Sequence, residues 1–97
     1  ENLIAKEENK TYVIYFDETK EYFVKIVEEL RKNGIKVNFD YNPKSFGAQM
    51  KKANRENADY VLILGEDEQK ENVVTMKKFS TGEQEKYKLE EIIKLLK

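Results

Sequence analysis

Apolar positions recur along this chain in two periods, and the alternation between them predicts an α/β fold. Tyr12 to Phe16 is a β-rich run that reads as a first strand. Behind it, Tyr22, Phe23, Ile26, Val27 and Leu30 repeat at helical spacing, predicting one buried helix face over about residues 18–33 with Asp17 as cap. Arg31 and Lys32 suit the negative end of that helix, and Gly34 suits a left-handed stop. Ile35, Val37 and Phe39 alternate with Lys36 and Asn38, the pattern of a half-exposed second strand. A loop holding the only proline, Pro43, follows. Ser45 then caps a second helix running to about Asn57, with Phe46, Met50 and Ala53 inward and Lys51, Lys52 and Arg55 outward.

Ala58 to Leu64 ends in an unbroken apolar run, as expected of a central parallel strand buried on both faces. It breaks at Gly65 into Glu66, Asp67 and Glu68, read as an acidic loop beyond the strand's carboxyl end. Asn72 to Phe79 and Gln84 to Lys88, joined by the Ser80-Thr81-Gly82 turn, predict a hairpin. Leu89, Ile92, Ile93 and Leu96 predict an amphipathic C-terminal helix. Crossover helices make the first three strands parallel, whereas the short turn makes the last pair antiparallel. The expected architecture is a three-layer α/β/α domain over residues 11–97, with a mixed five-stranded sheet and three helices. Residues 1–10 read as a polar tail or linker. In open α/β sheets ligands bind beyond the carboxyl ends of the strands, which directs attention to Gly65–Glu68.

Composition narrows the chemistry. The chain has 97 residues, enough for one domain, and contains neither histidine nor cysteine. Disulfides, zinc sites of the usual ligand types and Cys-His or Ser-His catalysis are therefore excluded within it. A formal net charge of −1 weighs against a strong stand-alone nucleic-acid binder, so any such role must rest on local sorting of charge. No apolar run approaches the roughly 20 residues that span a bilayer, and no signal-peptide pattern appears. A first residue of Glu rather than Met is what a fragment or processed product would show.

Four stretches together carry a family resemblance. They are Leu30-Arg-Lys-Asn-Gly-Ile-Lys-Val37, Lys44-Ser-Phe-Gly-Ala-Gln-Met-Lys-Lys-Ala-Asn54, the Ala58–Glu68 segment ending Leu-Gly-Glu-Asp-Glu, and Asn72-Val-Val-Thr-Met-Lys-Lys78 with Thr81-Gly-Glu-Gln84. On these the chain resembles the C-terminal anticodon-binding domains of class IIa aminoacyl-tRNA synthetases, most closely the histidyl members. The resemblance implies a strand order of 2-1-3-4-5 with strand four antiparallel. It implies no catalytic residue, metal or cofactor here, with ATP and magnesium used in a separate catalytic domain of a cytoplasmic parent. The implied partners are the anticodon loop of histidine tRNA and that catalytic domain, in a parent homodimer, with no membrane.

Candidate residues follow from chemistry and resemblance together. A carboxylate accepts hydrogen bonds from the N–H groups of an unpaired base and repels phosphate, so Glu66, Asp67 and Glu68 are candidates for base edges. The resemblance favours Glu68 among them, and Lys77 on the following strand, as anticodon contacts. Only one of Lys77 and Lys78 shares the recognition face, since strand neighbours point oppositely. Lys44 stands at the start of the second helix, where free N–H groups suit an anion. Ser45 reads as a simple cap and Phe46 as a core anchor. Tyr41, an exposed loop aromatic, either packs over its own loop or offers a stacking surface for a base. Lys51, Lys52 and Arg55 form a basic face, either simply solvated or placed to touch the phosphate backbone of the anticodon stem. Two other readings share the fold class: a synthetase-like regulatory or accessory domain that binds RNA or DNA or mediates dimerisation, and a receiver-like phosphoacceptor with magnesium at Asp17 and Asp67.

Overall fold

A computed structural model describes residues 10–42 and 44–96, so the tail read over residues 1–10, apart from Lys10, and the loop's Pro43 lie outside the described residues. Among them, strands β1 (Thr11–Tyr15), β2 (Tyr60–Leu64), β3 (Val74–Lys78) and β4 (Gln84–Tyr87) form one sheet in the order β1-β2-β3-β4. β1 and β2 are parallel, with Thr11 opposite Tyr60 and Tyr15 opposite Leu64. β3 runs antiparallel to β2, and β4 antiparallel to β3. The helices are α1 (Lys20–Lys32), α2 (Phe46–Arg55), α3 (Glu66–Glu71) and α4 (Leu89–Leu96), with a 3-10 turn at Asp17–Thr19.

Strand alternation sorts the core into two layers. Val13, Tyr15, Leu62, Leu64, Val74 and Met76 pack with Phe23, Ile26 and Leu30 of α1 and Ile92 of α4. Tyr12, Ile14, Val61 and Ile63 pack on the other side with Ala53 of α2 and with Ala58. β2 is thus covered on both faces, as its unbroken apolar run predicts. Gly34 takes φ +78°, the left-handed stop read after α1.

The structure corrects the expected counts of five strands and three helices. The second strand reduces to a single parallel bridge between Asn38 and Tyr12. Asn38 donates to the Thr11 carbonyl and accepts from the Val13 N–H, but the ladder stops there. The next position is taken: the side chain of Gln49 bonds the outward N–H and C=O of Tyr15. The bridge still sits on the far side of β1 from β2, where the 2-1-3-4-5 order places it. The extra helix is α3, formed where an acidic loop is expected. Three acids in its first turn suit its positive end, and Asn72 closes it in the left-handed region at φ 60°. Asp17, read as the cap of α1, instead lies inside the 3-10 turn.

Tyr12 is the exception in an otherwise satisfied core. Its buried hydroxyl has no hydrogen-bond partner among the described residues. Burial, reinforced by the charges of Asp40 and Glu56, pushes its pKa up from 10.0 to about 12. A folded-state value above the unfolded one means that stability is intact below pH 10.0 and is lost as pH climbs through about 12. Tyr12→Phe is expected to flatten that alkaline loss. With no hydrogen bond to forfeit, it should leave neutral-pH stability unchanged or higher by up to about 1 kcal/mol. Urea unfolding at about pH 8 and about pH 11 checks both outcomes.

Candidate nucleic-acid interface

The chain leaves β1 through α1 on one face and reaches β2 from α2 on the other, so a crevice opens between the two strands' carboxyl ends. A cleft of about 470 Å³ lies there. Phe16, Phe46 and Ile63 supply its apolar lining, and Glu18, Glu66, Asp67 and Glu68 its acidic lining. Thr19 closes the crevice below, its hydroxyl donating to the Leu64 carbonyl at 2.7 Å and accepting from the Phe16 N–H at 3.1 Å.

Glu68 is held at both oxygens. Its Oε1 accepts from the Gly65 N–H at 2.9 Å, closing the start of α3, and its Oε2 accepts from the Thr75 hydroxyl at 2.6 Å. An ionised carboxylate has about four acceptor positions, so each oxygen keeps free capacity. The Tyr22 hydroxyl, donating to the Val73 carbonyl at 2.7 Å, has its pKa raised by burial and then by the Glu68 charge.

The opposite wall is fixed by α2. Ser45 caps it as expected, its Oγ accepting from the Ala48 N–H at 3.2 Å. Gln49 reaches inward, with Nε2 donating to the carbonyls of Tyr15 at 2.8 Å and Lys44 at 2.7 Å, and Oε1 accepting from the Tyr15 N–H at 3.3 Å. This amide completes the margin of β1 in place of a strand neighbour and ties down the backbone at Lys44.

Tyr41 stands apart from the cleft. The residue is 81% exposed, and its ring meets Phe39 edge-on at 5.3 Å. The Tyr15 hydroxyl holds the loop beneath it, donating to the carbonyls of Asp40 at 2.7 Å and Tyr41 at 3.2 Å. Phe39 in turn packs against Phe23 and under the Arg31 guanidinium.

The structure therefore gathers Glu66, Asp67 and Glu68 into one cleft and leaves the other candidates around it. Lys77 points to the same sheet face as Thr75, opposite Val61 of β2 and Gln84 of β4. Lys44, Lys51 and Arg55 are exposed, whereas Lys52 is half-buried and lies 3.9 Å from the Asp40 carboxylate. Phe46 corrects the reading of a core anchor: at the first turn of α2 it is 46% exposed and lines the cleft. Phe16, Gln49 and Thr75 escaped the sequence reading. For Gln49 a signal existed, since it precedes Ala53 by one helical turn on the inward stripe.

Among the described residues no group of three or more acids is placed to hold a metal. The β3–β4 hairpin also stands where a receiver would continue with strand-helix units. No helix of the described residues is long and apolar enough to cross a membrane.

Sequence comparison matches residues 6–97 to the family model of the anticodon binding domain. The chain is 38% identical over 81 residues to the histidine–tRNA ligase of Staphylococcus saprophyticus, covering 84% of this chain and 19% of that enzyme. The crystal structure of apo S. aureus histidyl-tRNA synthetase aligns with a TM-score of 0.80 at 30% identity, over 98% of this chain and 25% of that one. The RNA binding domain of threonyl-tRNA synthetase from Cryptosporidium parvum aligns with a TM-score of 0.83 at 24% identity, over 91% of this chain and 22% of that one, a likeness of fold alone. The chain thus spans a quarter or less of each of these three proteins. On the extent of the sequence match and on a sheet shared with these structures, the chain belongs to the anticodon binding domain family.

Proposed function

We propose that this chain reads the anticodon of histidine tRNA as part of a histidyl-tRNA synthetase. The observation that carries the reading is the Glu68 carboxylate, fixed in a cleft at the crossover of the sheet and flanked by the Phe16 and Phe46 rings. Acidic lining repels phosphate, so the groups that enter must be base edges bearing N–H donors. The aromatic lining suits the faces of unstacked bases. Lys77, Lys44, Lys51 and Arg55 lie outside the cleft, where a strand's phosphates would pass, with Lys52 contributing from its place beside Asp40. Tyr41 offers a second stacking surface on the neighbouring loop. Activation of histidine with ATP and magnesium falls to a separate catalytic domain of a dimeric, cytoplasmic parent enzyme.

The test is an NMR titration of the chain with a histidine anticodon stem-loop and with a scrambled loop at matched salt. The cognate loop is expected to bind about tenfold or more tighter, the worth of one or two good base contacts. With at most these five cations to contact phosphate, log affinity should fall against log salt with a slope no steeper than about −3.5, from about 0.7 per single-strand phosphate contact. Equal affinity for the two loops would remove base recognition from this surface.

A further inference from the structure

We infer that Thr75 is a positioning residue that aims the Glu68 carboxylate and so governs which base edge the cleft accepts. The inference rests on the reading of the cleft as a base-recognition site. Thr75 lies in β3, the strand that follows α3, opposite Ile63, and is 3% exposed. Its hydroxyl donates to Oε2 at 2.6 Å while the Gly65 N–H donates to Oε1 at 2.9 Å. A carboxylate held at both oxygens by two different elements has its plane fixed, and each oxygen keeps acceptor capacity toward the cleft that Glu68 lines. Two acceptors at fixed spacing match a base edge with adjacent N–H donors and discriminate against an edge that presents acceptors. Released from either side, the carboxylate swings on its own rotamers and accepts from water or from any donor in reach.

The sheet itself does not require that hydroxyl. Valine matches threonine in shape and in preference for a strand, and it avoids the cost of burying a polar group. The buried hydroxyl is spent on the carboxylate alone: Glu68 is its hydrogen-bond partner among the described residues. A stapling role would appear only in stability, whereas a positioning role appears in selectivity.

The 97-residue chain is compared with its Thr75→Val, Thr75→Ser, Gly65→Ala and Glu68→Gln variants. Each is titrated with the histidine anticodon stem-loop and with stem-loops in which each anticodon base is replaced in turn, and each is melted. The parent chain is expected to prefer the cognate loop over at least one replaced loop by about tenfold or more. Thr75→Val should cut that same preference to about twofold or less, and Thr75→Ser should keep it. Gly65→Ala places a Cβ 2.9 Å from Oε1 and displaces the carboxylate from its other side. It should lose the same preference, and it carries the test alone if the valine variant fails to fold. Preference retained in Thr75→Val and Gly65→Ala but lost in Glu68→Gln overturns the positioning role and leaves base reading by Glu68 standing. Preference retained in Glu68→Gln as well overturns both.

Discussion

Replacing Gln49 with leucine is expected to destabilise the fold by about 3 kcal/mol, although the two side chains are similar in size. The loss does not come from packing. Gln49 is 1% exposed and spends its amide on three backbone groups, the N–H and C=O of Tyr15 and the C=O of Lys44. Leucine leaves those groups unpaired beneath α2, at about 1–3 kcal/mol for each that stays dry, offset in part by the gain of burying an apolar side chain. Glutamate should be no better, because its second oxygen would face two carbonyls without a proton to offer. Urea unfolding curves with unchanged slope and a lowered midpoint would bear this out. A leucine variant as stable as the parent would show that water replaces the amide.

Tyr15→Ala is expected to cost about 4 kcal/mol, and Tyr15→Phe only about 1 kcal/mol. The ring stacks on Phe23 at 3.7 Å between centroids and 8° between planes, with Phe39 edge-on beside it. Deleting it opens a cavity in the layer between the sheet and α1 and frees the segment that bears Tyr41. Phenylalanine keeps the stack and loses only the two hydroxyl contacts to the carbonyls of Asp40 and Tyr41. The pair of variants therefore separates the platform from the core. If Tyr41 stacks on a base, Tyr15→Phe should weaken stem-loop binding while the protein melts almost as the parent does. Denaturation and titration on the same samples check both halves.

What could be read from the residues divides by the range of the interactions involved. β2 was legible because it is covered on both faces, which leaves an apolar run that needs no partner to be recognised. α1 was legible because Tyr22, Phe23, Ile26, Val27 and Leu30 keep one face over its length. α3 was not, because Glu-Asp-Glu-Gln-Lys-Glu has no apolar period and its start depends on a Glu68 carboxylate shared with Thr75 on the strand that follows. The alternation of Ile35, Val37 and Phe39 was real, but a competitor from α2 stopped the ladder at Tyr15. The same division holds in the cleft. Its acids announce themselves at the end of an apolar strand, while Phe16 and Phe46 become neighbours only through the crossover. Helical period alone placed Phe46 inward, yet its position in the first turn carries it over the rim.

α3 buries none of its six residues and hangs on the Glu68 carboxylate, the backbone at Gly65 and the left-handed turn at Asn72. The exposed turn beyond Glu68 can fray while Glu68, held at both oxygens, and the double-sided β2 beneath it stay in place. The domain therefore keeps its least buried helix at the mouth of the cleft, with the Glu68 carboxylate tied to the strands at its base. A visiting nucleotide can displace the outer turn without strain reaching that carboxylate or the strands below.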